Sequence, residues 1–160
     1  MSLIPLPPTL IPFLNPYLPN TETTTNRPFV TLTYAQSLDS KIAAQPGQQT
    51  KLSHLETKTM THYLRSKHDS IFIGIGTVLA DDPKLNYIKS VMIEGGAKVI
   101  NDLLINRDNL VDSLIITVAP VFLGKNGVDV SPNHQVNLKD MTWWTGVQDS
   151  VLAARLQSNA

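Results

Sequence analysis

The stretch VMIEGGAKVI at residues 91–100 constrains this chain more than any other. An apolar run, Val91-Met92-Ile93, ends in Glu94, and Gly95 and Gly96 then open a segment with helical periodicity. That pattern is a strand feeding a glycine turn and a helix N-terminus, where backbone can approach a phosphate and unpaired N–H groups face it. A second glycine turn of similar pattern lies at 71–83, IFIGIGTVLADDP. Two such turns in one small domain point to a nucleotide or sugar-phosphate site. A ligand-free turn needs glycine just as much, and a bare glycine pair is common.

Around these turns, strands alternate with helices. PFVTLTYAQS, from Pro28, alternates Val30, Leu32 and Tyr34 against Phe29, Thr31 and Thr33 and reads as a strand. After a loop at Pro46-Gly47, Ser53 and Glu56 have capping-box spacing before a helix that ends near Lys67-His68. Strands are expected at 70–75, 91–93 and 114–119, with a helix at 95–106 and a short strand around Trp143-Trp144. The class is therefore α/β. Residues 1–27 differ in composition: six of the chain's 11 prolines lie in the first 20 residues. Proline at that density predicts an extended arm rather than a helix, with its apolar residues set against the domain or a partner subunit. The expected organisation is thus an arm over 1–27 and a single domain over 28–160.

Composition narrows the function. Thirteen basic residues balance 13 acidic ones with no basic run, which gives no signal for nucleic acid or an anionic membrane. There are no cysteines, which excludes disulfides and thiolate chemistry. No apolar run reaches the roughly 20 residues of a membrane span, and a cytoplasmic protein is expected. The histidines lack metal spacing, so no metal is expected.

Several groups could carry chemistry. Glu94 could grip a hydroxyl or amine, and the amides of Gly95, Gly96, Ala97 and Lys98 a phosphate. Thr77 and Asp81, beside the first glycine turn, could meet a phosphate and a sugar, or form a solvated turn; Leu79 breaks the G-x-G-x-x-G dinucleotide fingerprint. Ser37-Leu38-Asp39-Ser40-Lys41 places a hydroxyl, a carboxylate and an ammonium at a strand end; Asp39 could orient an amine and Lys41 meet a phosphate, or both could form an exposed ion pair. Arg65 offers a bidentate fork for phosphate, or is a surface arginine.

Taken in order, PFVTLTYAQSLDSKIA, LRSKHDSIFIGIGTVLADDPKLN, SVMIEGGAKVINDLL and LIITVAPVFLGKNGV resemble the riboflavin-biosynthesis pyrimidine reductase family. The likeness extends to its stand-alone fungal and archaeal members and to the reductase half of the bacterial deaminase-reductase. It implies a dihydrofolate-reductase-like fold, a mixed and mostly parallel sheet with flanking helices, assembled as a homodimer. It implies NADPH as hydride donor and, as substrate, a pyrimidine bearing a ribosylamino 5′-phosphate whose ribose becomes a ribityl chain. By the same resemblance, Thr77, Asp81 and Gly95, Gly96, Ala97, Lys98 and Val99 hold the cofactor, and Glu94 and Arg65 the substrate. Asp39 and Lys41 stand near the reacting centre, with Ser40 where the family usually has glycine, and Asp39 assists proton delivery to the amine nitrogen. The family pattern is interrupted between Asn86 and Tyr87, where a long stretch of strand and helix elements is expected and only a few residues join the two motifs. The alternative to an enzyme is a non-catalytic, truncated homologue that acts through dimer association.

Overall fold

The computed structural model describes residues 3–20, 26–74, 88–105 and 110–157. In chain order the elements are α1 (Leu10–Leu14), a 3-10 turn (Asn15–Tyr17), β1 (Phe29–Gln36), β2 (Lys41–Ala43), α2 (Leu55–Arg65), β3 (Ser70–Ile73), β4 (Ser90–Glu94), α3 (Ala97–Leu104), β5 (Ser113–Val118), β6 (Val128–Asp129), β7 (Leu138–Thr145) and β8 (Ser150–Leu156). Six strands form one sheet in the order β3-β4-β1-β5-β8-β7, and β2 pairs with β6 in a separate ribbon. From β3 to β5 the neighbours are parallel; β8 and β7 add an antiparallel hairpin. The parallel strands β4 and β5 are near-continuous apolar runs because helices cover both faces.

Two apolar clusters sandwich the sheet. On one face Met60 and Leu64 of α2 meet Met92, Ile115, Val151 and Trp144; on the other Ile100 and Leu104 of α3 meet Leu32, Leu114, Ile116 and Leu152. The N-terminal residues belong to the first cluster, with Leu10 and Leu14 fully buried. Residues 10–17 are helical rather than extended, which corrects the reading from proline content over that part of the arm. Pro12 is the third residue of α1, a position whose N–H has no partner within a helix, so its ring costs no hydrogen bond. Trp144 Nε1 donates to Thr9 Oγ1 at 2.9 Å, and the Tyr17 hydroxyl donates to the Asp140 carbonyl.

The expected capping box does not form. His54 is the N-cap of α2 and no side chain from its own segment caps the helix. Asp149, buried in the β7–β8 turn, does so from a distance, accepting the His54 N–H at 2.7 Å and the Thr57 hydroxyl. Glu56 is drawn away to the Val147 N–H at 2.7 Å. A carboxylate at this end of the helix suits its dipole whichever element supplies it.

Among the described residues, β1 lies at the centre of the parallel strands. The chain crosses from β1 to β3 through α2 and from β4 to β5 through α3, so the strand order reverses on either side of β1. Ligands of open α/β sheets bind outside the carboxyl ends of strands at such a reversal.

Candidate active site

The carboxyl ends of β1, β3, β4 and β5 border an open cleft of about 580 Å³. Thr33, Tyr34 and Thr117 line it from β1 and β5, Glu94, Gly95 and Gly96 from the end of β4, and Gln49, Ser53 and Thr61 from the segment containing α2. Burial pushes the Tyr34 phenol up to about 12, so it is an uncharged hydroxyl at neutral pH. At the rim, the Gly74 N–H donates to the Glu94 carbonyl at 3.0 Å, and a φ of 76° there requires glycine.

Glu94 and Arg65 lie together, but they bind each other. Arg65 Nε and Nη2 each donate to one Glu94 oxygen at 2.7 Å, and this fork raises the Arg65 pKa. The two glycines of the turn do different work. A Cβ on Gly95 would lie 2.7 Å from Val99 Cβ and Cγ1, so Gly95 is required by packing and the Val99 side chain is its counterpart. A Cβ on Gly96 would meet nothing within 4 Å, so Gly96 is the residue that leaves backbone open to the cleft. Gly96 is also the N-cap of α3, whose first turn has no acidic residue and no side-chain cap. The N–H groups of Ala97, Lys98 and Val99 are therefore donors without an intrahelical acceptor, chemistry that fits a phosphate.

Asp39 and Lys41 do not line this cleft. Asp39 Oδ1 accepts the Ser37 hydroxyl and the Leu123 N–H at 3.0 Å, and Oδ2 accepts the Gly124 N–H at 2.8 Å. These bonds, the one from Ser37 foremost, lower its carboxyl to about 2. Such a group is ionised at neutral pH and accepts rather than donates, which argues against the proton-passing role expected of Asp39. Its work is to pin the segment after β5 to the β1–β2 turn. The Lys41 ammonium is paired with Asp129 across the β2–β6 ribbon. Thr77 and Asp81 lie outside the described residues.

Ser40, where the family resemblance implies glycine, has a φ of 58°. The Ser40 N–H donates to the Ser37 carbonyl and the Ser37 N–H to the Lys41 carbonyl, closing a three-residue turn whose last position is left-handed. That geometry is the physical reason for glycine there.

The RibD C-terminal domain model matches residues 28–87 and 86–152. The chain belongs to that family. A 2,5-diamino-6-ribosylamino-4(3H)-pyrimidinone 5′-phosphate reductase of Debaryomyces hansenii is 44% identical over 249 aligned residues, covering 98% of this chain and 100% of that protein. The Saccharomyces cerevisiae reductase of the same name is 40% identical, covering 98% and 99%. Among solved RibD-type structures, the Saccharomyces riboflavin biosynthesis reductase Rib7 superposes with a TM-score of 0.74 at 38% identity, over 92% of this chain and 99% of that one. Enterococcus faecalis dihydrofolate reductase superposes with a TM-score of 0.53 at 12% identity, over 81% and 96%, and shows the fold alone. The mixed, mostly parallel sheet is thus that of the dihydrofolate-reductase-like proteins. The two RibD matches meet at residues 86–87, and a 160-residue chain leaves more than a third of the 249 aligned positions without a counterpart.

Sequence reading missed Thr33, Tyr34, Gln49, Thr61 and Thr117 as lining residues. Thr33 and Tyr34 could have been found from their place near the carboxyl end of a legible strand. Thr61 and Gln49 had no local signal, because only the packing of α2 brings them to the cleft.

Proposed function

We propose that this chain reduces the ribosyl group of 2,5-diamino-6-ribosylamino-4(3H)-pyrimidinone 5′-phosphate to the ribityl form with NADPH, as a cytoplasmic homodimer in riboflavin biosynthesis. The observation that carries the reading is the 44% identity across nearly the whole chain to a reductase of that name, with Glu94-Gly95-Gly96 placed at the mouth of the cleft. Bound NADPH supplies the hydride. The open backbone at Gly96 and the free amides of Ala97, Lys98 and Val99 suit its phosphates, and Thr77 and Asp81 are assigned to the same cofactor. Arg65 fixes the Glu94 carboxylate, which then accepts from amino or hydroxyl groups of the substrate. The Thr33, Thr117 and Tyr34 hydroxyls offer uncharged hydrogen bonds to a neutral pyrimidine, and holding the reacting carbon in one place is the main catalytic contribution. The arm over residues 1–27 and the single domain over 28–160 act as one unit in this reading.

The test is fluorescence titration with NADPH followed by substrate-dependent loss of reduced-nicotinamide absorbance. Saturable binding with turnover supports the enzyme; an intact dimer indifferent to NADPH replaces it with the non-catalytic homologue. The second reading draws its weight from the aligned positions that have no counterpart around residues 86–87.

A further inference from the structure

Helix α2 is gripped on one side and works on the other. Thr61 lines the cleft, and Arg65, one turn further along the same stripe, forks onto Glu94. Thr59 lies about 200° round the helix from Thr61. There it is buried, and its hydroxyl donates to the Ile4 carbonyl at 3.0 Å. Met60 and Leu64 are fully buried in the first cluster with Leu10 and Leu14 of the arm, and Leu6 and Phe13 pack against it. At its other end the arm is anchored to the antiparallel hairpin. Trp144 of β7 donates to Thr9, Tyr17 donates to the Asp140 carbonyl, and Arg155 of β8 donates to the Pro16 carbonyl at 2.8 Å. The arm is thus a strap from the hairpin to the back of α2. The opposite wall of the cleft stands apart from it. Helix α3, which begins after Gly96, packs in the second cluster, and among the described residues that cluster contains none from the arm.

We infer that the N-terminal arm sets the position of α2, and through it that of Thr61 and the Arg65–Glu94 fork, with Thr59 as the positioning residue. The inference rests on the reading that substrate binds on the α2 side of the cleft and NADPH at the start of α3. The arm then governs one ligand and not the other. Without the Thr59 hydrogen bond, α2 is free to shift on the sheet. The fork suffers first, because its two parallel bonds tolerate only one orientation of the partners. The coupling is reciprocal: a ligand held by the α2 wall also holds the arm in its seat.

The experiment compares the full chain as wild type, as T59V, which keeps the shape and removes the donor, and as T59S, which keeps the donor. Separate calorimetric titrations give the affinities for 2,5-diamino-6-ribosylamino-4(3H)-pyrimidinone 5′-phosphate and for NADPH. Amide hydrogen exchange compares α2 with α3, and chymotrypsin cleavage within the arm is timed with and without each ligand. T59V is expected to weaken substrate binding about threefold to tenfold, to leave NADPH affinity unchanged and to speed exchange in α2 alone, with T59S restoring the wild-type values. Saturating substrate should slow cleavage in the wild-type arm, and NADPH should not. The inference is overturned if T59V changes neither affinity, weakens both alike, or speeds exchange equally in α2 and α3, the signature of a contact that only stabilises. Arm cleavage indifferent to bound substrate overturns it as well. Wild type that binds neither ligand defeats the reductase reading; faster exchange confined to α2 in T59V then leaves the arm's hold on that helix standing, and unchanged exchange removes it too.

Discussion

Arg65 and Glu94 face each other as a two-bond fork, with both N···O distances at 2.7 Å, and join the last turn of α2 to the final residue of β4. The contact crosses from helix to sheet at the mouth of the cleft, so it fixes a carboxylate on the same side as the glycine turn. Lysine in place of Arg65 keeps the charge and loses the second bond. Arg65→Lys is expected to cost about 1 kcal/mol or less of stability, because the pair is partly exposed, and to lower kcat/KM about tenfold. Steady-state kinetics beside a thermal melt checks this; unchanged kcat/KM would show that Glu94 needs no fixing.

The two glycines of the turn separate by mutation. Gly95→Ala drives a methyl into Val99 and is expected to destabilise by about 1–3 kcal/mol. Gly96→Ala has room, at φ −75° and ψ 176°, conformations open to any residue. Its melting temperature should stay at the wild-type value while NADPH affinity falls. Paired melts and NADPH titrations read both effects.

Ser40→Gly should stabilise the protein by up to about 1 kcal/mol. A left-handed non-glycine residue costs roughly 1–2 kcal/mol, and glycine returns part of the gain as unfolded-chain entropy. Urea midpoints of the two proteins test the sign.

Asp39→Asn removes the ionised acceptor of the Ser37, Leu123 and Gly124 bonds. The folded carboxyl lies below its ordinary value of 3.8, so the stability it contributes is present above pH 3.8 and is lost as pH falls towards 2. The variant is expected to melt lower than wild type at neutral pH, with that deficit shrinking below pH 3.8, and to bind NADPH normally. A lost kcat with an unchanged melt would instead restore Asp39 to the reaction.

His68 gives a second pH signature. Its Nδ1 donates to the Leu64 carbonyl at 2.7 Å, so Nε2 of the neutral ring accepts from the Thr31 hydroxyl at 2.8 Å. Burial holds its pKa below the ordinary 6.5. The unfolded chain then takes up a proton first as pH falls, so stability is full above pH 6.5 and declines below it. Urea unfolding across pH 7 to 5 should show this slope, and His68→Gln should flatten it.

β4 and β5 were legible because parallel strands buried on both faces read as plain apolar runs, β1 by its alternating β-branched and aromatic residues, and the turn after β4 by its glycine pair. Of the C-terminal hairpin, the strand expected around Trp143-Trp144 lies within β7, but β8 was not legible. VLAARL in β8 carries alanine, leucine and arginine, which favour helix, and it is held as a strand by β5 on one side and β7 on the other. The cap of α2 failed for a related reason: Asp149 lies 95 residues from the His54 amide it accepts from, and capping rules look only a few residues away. At the candidate site, Glu94 and Gly96 could be read from local pattern. The commitment of Lys41 to Asp129 and of Asp39 to the Leu123 and Gly124 amides depends on long-range partners that no local motif announces.

The seat of α1 has a consequence for how this chain comes into being. Leu10, Leu14 and Tyr17 pack in one cluster with Trp144, and Thr9 meets the indole of Trp144 across 135 residues. During synthesis the first helix emerges long before the surface that receives it exists. Its apolar side is not fully covered until β7 leaves the ribosome, so the arm completes its docking late, across a closure of 135 residues.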